Sequence, residues 1–132
     1  MAFNGSWLIK VGSYTIPLEV MQLDTYSSSP AQRQDLDAYR DSDGYMHRNT
    51  LAHTATKIEF ETVPMPIDDF RALMGHIRDN YTNGLERKVH LTYYEEEYDN
   101  YVEGDFYLPA TMTFNWYNKA IMNSFRIAFI EY

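Results

Sequence analysis

The chain has no cysteine among its 132 residues. Disulfides, zinc–thiolate centres and thiol catalysis are therefore excluded, and cysteine usage says nothing of the redox compartment. No apolar run approaches the ~20 residues of a membrane helix. The opening residues Met1-Ala2-Phe3-Asn4-Gly5-Ser6 lack the basic start and apolar stretch of a signal peptide, so synthesis and folding in the cytosol are expected. Basic residues are the minority: 11 Lys and Arg face 19 Asp and Glu, for a net charge of −8 and a pI near 4.8. Phosphate binding needs clustered cations, so a whole-chain grip on nucleic acid is disfavoured. The nucleophile elbow, the P-loop and the dinucleotide fingerprint are all missing. The four histidines (His47, His53, His76, His90) form no H-x-x-x-H pair, so no metal ligand set and no cofactor site is expected.

What is present suits a single domain. Hydrophobic residues make up 45% of the chain, enough for a core. Aromatics reach 16%, with 12 Tyr against 7 Phe and 2 Trp. Aromatic residues fit pleated surfaces, and tyrosine suits interfaces because it buries area while keeping a polar tip. Two readings follow: a small β-domain with a Tyr-rich surface, or a β-domain that assembles.

Trp7-Leu8-Ile9-Lys10-Val11, Gly12-Ser13 and Tyr14-Thr15-Ile16-Pro17-Leu18 read as a tight hairpin. Pro17 belongs at a strand end or edge. Residues 22–49 are expected to form a long loop, with Ser27-Ser28-Ser29 as filler. Loops of that length in a compact domain are disordered or have a job. This one carries Arg33, Leu36, Tyr39, Arg40, Tyr45 and Arg48, residues of the kind that anchor interfaces. Residues 50–62 are expected to be strand-like: Ile58, Phe60 and Thr62 alternate with Lys57, Glu59 and Glu61, the period of a half-buried strand. Ile67, Phe70, Leu73, Met74, Ile77 and Tyr81 draw one stripe of a helix over 67–82, with Asp68 and Asp69 in its first turn and Asn83-Gly84 as its stop. Strands are expected around 89–94, 98–107, 111–116 and 124–132, the last with Phe125, Ile127 and Phe129 inward. The total is about seven strands and one helix, with no repeat and no domain boundary.

The remaining polar groups read mostly as surface. Glu95, Glu96, Glu97, Asp99, Glu103 and Asp105 cluster about a hairpin. They suit a solvated turn that protects a sheet edge better than a cation site, because the calcium-loop pattern is absent. Arg71 and Arg78 share a solvated helix face. The 19 acidic residues offer many carboxylate pairs, so an acidic-site hydrolase stands only as a third and weakest reading.

Several stretches together resemble the small tail-tube-like and distal-tail (baseplate) proteins of siphophages and prophages of Gram-positive bacteria. They are the N-terminal hairpin with Ile16-Pro17; Arg33 through Asp43-Gly44-Tyr45-Met46-His47-Arg48 and the strand Thr56-Lys57-Ile58-Glu59-Phe60-Glu61; the single mid-chain helix; Gly104-Asp105-Phe106-Tyr107-Leu108-Pro109; and the terminal Phe125-Arg126-Ile127-Ala128-Phe129-Ile130-Glu131-Tyr132. The resemblance implies a mainly β, α+β domain over 1–132: a tail-tube-like β-barrel or sandwich of about seven strands flanked by one α-helix, with an extended arm at about 22–49. It implies a virion structural protein, assembled in the host cytoplasm, that forms a ring with copies of itself, often six. Neighbouring tail or baseplate proteins would be its partners, and DNA would pass through the lumen without specific binding. No catalytic, cofactor or metal residues come with it. Arg33, Leu36, Tyr39, Arg40, Tyr45 and Arg48 would form the assembly contact of the arm, and carboxylates lining the lumen would repel phosphates. The alternative from another class is a monomeric β-module binding a carbohydrate or small ligand through exposed aromatics.

Overall fold

The computed structural model describes residues 2–132. Its strands in chain order are β1 (Ile9–Val11), β2 (Tyr14–Thr15), β3 (Ser27–Gln32), β4 (Asp35–Arg40), β5 (Met46–Thr50), β6 (Ala55–Glu61) and β7 (Met65–Pro66). After helix α1 (Ile67–Asp79) come β8 (Tyr81–Asn83), β9 (Lys88–Glu95), β10 (Asn100–Tyr107), β11 (Ile121–Met122) and β12 (Arg126–Glu131). One antiparallel sheet runs in the order β2-β1-β9-β10-β12-β6-β3, with β8 added beside β9. Among the described residues β2 and β3 do not pair, so the sheet stays open rather than closing as a barrel. β7 pairs with β11, and among the described residues β4 pairs only with β5.

Alternation decides which face is core. In β6 and β9 the even-odd pattern buries Ile58 and Phe60, and Val89, Leu91 and Tyr93. Phe106 of β10 and Ile127 and Phe129 of β12 join them, and Leu73 and Ile77 of α1 complete one cluster. Each fully buried Phe or Ile contributes about 2–3 kcal/mol of transfer free energy. Ala128, expected to point outward, is buried too. Its methyl is shorter than the flanking Arg126 and Ile130 side chains on the same face.

Three boundaries depart from expectation. The helix ends at Asp79 with Asn80 as its cap, not at Asn83-Gly84. The Asn80 Nδ2 donates to the His76 carbonyl (2.8 Å), and its Oδ1 accepts the Ser13 N–H (3.1 Å), tying the helix end to the first hairpin. Tyr81–Asn83 then pairs with β9 instead of extending the helix. Residues 111–116 form no strand; Trp116 makes one isolated bridge to Met122. Met112 and Phe114 still pack on the core, so their alternation records burial without a ladder. The third departure is the segment read as a long loop.

Candidate assembly interface

Residues 22–49 are more structured than their composition suggests. Ser27-Ser28-Ser29 is an edge strand, paired to Glu59, Ile58 and Lys57 of β6. Tyr26 lies against Phe60, ring centroids 6.2 Å apart. The expected arm therefore begins later. β4 and β5 form a hairpin in which Ala38 faces Arg48, Tyr39 faces His47 and Arg40 faces Met46. Every residue of both strands is exposed.

The hairpin is held by its own side chains. Asp41 closes the turn: its Oδ1 accepts the N–H of Asp43 (2.9 Å) and of Tyr45 (3.0 Å), and the Asp41 N–H donates to the Tyr45 carbonyl. The His47 contact (Nε2 2.8 Å from Asp41 Oδ2) chiefly holds the Asp41 carboxyl below its ordinary pKa, and the N–H groups of Tyr45 and Asp43 on the carboxylate add to it. Gly44 takes φ 87, the left-handed conformation that the turn needs. Tyr39 stacks on His47 at 4.9 Å. Asp35 accepts from Arg48 Nε (3.1 Å) and Thr50 Oγ1 (3.0 Å), and Arg48 chiefly lowers its pKa.

The six arm residues singled out from sequence thus divide by role. Leu36, Tyr39 and Tyr45 project into solvent at 68%, 59% and 72% exposure. Arg40 Nη1 donates to the Gly44 carbonyl (2.9 Å) and braces the turn, while Arg48 braces β5 against Asp35. Arg33 lies at the arm's root and reaches the β9–β10 turn through Glu97. Sequence reasoning missed Asp35, Asp41 and His47, which build the hairpin. Asp41-Ser42-Asp43-Gly44 was the signal available for the turn.

The acidic cluster is dispersed among separate contacts. Asp99 accepts the Tyr94 hydroxyl (2.6 Å), and Glu103 and Asp105 flank His90 at 3.1 and 3.4 Å. The two carboxylates raise the His90 pKa, Glu103 most. Glu95 is buried, its Oε1 without a hydrogen-bond partner, and burial raises its pKa. Among the described residues no group of three or more His, Asp or Glu is placed to hold a metal ion.

These features define an α+β domain: an open antiparallel sheet, one covering helix and a projecting hairpin. The chain belongs to DUF6711, a family of unknown function, whose model matches residues 1–132. No curated protein matches it. A solved structure with a similar fold is the tail of an empty GTA (gene transfer agent) particle, computed with helical refinement and C6 symmetry. The TM-score is 0.56 at 17% identity, over 99% of this chain and 95% of that one.

Proposed function

We propose that this chain is a structural, non-catalytic protein of a phage-like tail, one subunit of an oligomeric ring in the tube or at its distal, baseplate end. The observation that carries this reading is the likeness of fold, nearly end to end in both chains, to a tail refined with six-fold symmetry. The exposed arm supports it. A lone two-stranded hairpin is marginal in water, and this one presents Leu36, Tyr39 and Tyr45 with no body to cover them. On this reading the ring is hexameric, the arm contacts a neighbouring copy or ring, other tail proteins stack above or below, and DNA passes through the lumen of the virion unbound. Native mass spectrometry and negative-stain microscopy of concentrated protein, alone and co-expressed with its neighbouring tail proteins, are expected to show rings or tubes. A strict monomer under all these conditions overturns the proposal.

One observation favours a ligand-binding module instead. A groove of about 530 Å³ runs between Leu85, Arg87, Tyr107, Leu108 and Tyr132. Its aromatic rings are engaged already: Tyr107 packs edge-on to Tyr132 (5.1 Å), and Lys88 Nζ lies 5.0 Å over the Tyr132 ring. Saccharide-induced shifts at these residues by NMR would favour the module.

A further inference from the structure

The arm leaves the body through residues 32–34 and returns through 51–54. The outgoing chain is bent, with a register shift between Ser29 and Gln32 and a left-handed Ala31 at φ 44. Beside this bend Arg33 spreads its guanidinium over three acceptors. Nη1 donates to the Ala31 carbonyl (3.0 Å) and to Glu97 Oε1 (2.5 Å), and Nη2 donates to the Tyr98 hydroxyl (3.1 Å). On the return side His53 Nε2 lies 2.5 Å from the Tyr132 main-chain oxygen. Farther out, the side-chain bonds of Asp35, Arg40, Asp41, His47 and Arg48 all close within the hairpin.

We propose that Arg33, gripping Glu97 and Tyr98 of the β9–β10 turn, is a clamp that sets the direction of the hairpin arm in the free subunit, before any neighbour is bound. Ala31, in the bulge of β3, and Glu97 and Tyr98 of the turn all belong to the body, so the three bonds fix Arg33, the first residue beyond β3, against the sheet. A planar fork with five donors can serve three acceptors in fixed directions, which an ammonium cannot. The contact is half-exposed, so it adds little to global stability. Its effect is on orientation: an arm held near its docked direction forgoes part of the ordering cost of association. Arg33 is in this sense a positioning residue, and its role in assembly rests on the tail reading above.

The absence of cysteine makes the test direct. Spin labels on Ser42→Cys and Asp79→Cys report the distance from the arm's turn to the helix. The otherwise unchanged protein is expected to give a narrow distribution. Arg33→Ala and Glu97→Gln should broaden it, Arg33→Lys should broaden it in part, and the exchange Arg33→Glu with Glu97→Arg should narrow it again, all at unchanged melting temperature. A distribution in Arg33→Ala as narrow as in the parent overturns the clamp. Where the parent forms rings, Arg33→Ala should form them several-fold more slowly; broadened distances with an unchanged rate remove the link to assembly. A parent that never assembles counts against the tail reading alone, because the distances decide the clamp by themselves.

Discussion

Gly12 shows how much one residue can carry. It turns the first hairpin at φ 60, its N–H donates to the His90 carbonyl (2.8 Å), and a Cβ there would run into the Asn80 side chain. That side chain joins the helix end to the hairpin. Gly12→Ala adds left-handed strain of about 1–2 kcal/mol and disturbs the Asn80 bonds, worth about 1 kcal/mol more. A melting temperature lowered by roughly 10 °C is expected; an unchanged one would mean that Asn80 moves aside freely. Glu95 gives the opposite sign. Burial favours its neutral form in the folded state, so its folded pKa lies above the ordinary 4.5, and Glu97 adds to the rise. Stability is therefore lost as pH rises through that folded value, and below about 4.5 folded and unfolded states are protonated alike. Glu95→Gln should melt higher than the parent at pH 7.5, with the gap closing by pH 4. Thermal scans across that range check it, and a gap that widens in acid would refute the assignment.

At the scale of elements, helix and arm are opposites in what the sequence reveals. Leu73 and Ile77 are buried on the stripe that the periodicity draws. Leu73→Asp should cost on the order of 4 kcal/mol and unfold or aggregate the protein, while Arg78→Ala on the exposed face should leave the melting temperature unchanged. Circular dichroism melts distinguish the two. The same logic made β6 and β9 legible, because each has one buried face and so alternates; in β12 the large residues Ile127 and Phe129 keep that period although the small Ala128 between them is buried as well. The hairpin escaped notice because both its faces meet solvent in the isolated chain. Without a buried face there is no reason for residues to alternate, and Asp35, Asp37 and Arg40 look like loop. Residues 27–32 escaped because an edge strand of Ser, Pro and Gln buries little. The candidate interface was legible as a list of anchoring residue types, but the division into projecting and bracing side chains depends on register, which composition does not encode. Hydrogen exchange on a verified monomer should show protection at 27–29, bonded to β6, and fast exchange across 35–50. Strong protection of 35–50 in a monomer would mean that the arm has a body contact of its own.

At the scale of the molecule, the net charge of −8 is unevenly spread. The solvent face of the main sheet is balanced: Lys10, Lys57, Lys88 and Arg126 stand among Glu59, Glu61, Glu103 and Asp105. The turn at 95–99 instead gathers Glu95, Glu96, Glu97 and Asp99, with Arg33 as the cation that reaches it. If the sheet face lines a conduit, DNA would meet alternating signs, and low friction would come from the absence of a clustered basic track rather than from uniform repulsion. The free protein should accordingly show no measurable affinity for duplex DNA at physiological salt. Assembly, on the proposed reading, draws on the arm's projecting side chains. Leu36 and Tyr45 brace nothing with their side chains, whereas Arg40 and Arg48 hold the hairpin itself. Leu36→Ala with Tyr45→Ala should therefore weaken ring formation by roughly 10-fold or more, as buried interface anchors do, at an unchanged melting temperature, and a chelator should change nothing. Sedimentation across a concentration series, with and without chelator, reads the assembly, and a thermal melt reads the stability. Rings that form equally well without Leu36 and Tyr45 would move the contact off the arm, and rings that dissolve in chelator would place a cation at the acidic turn.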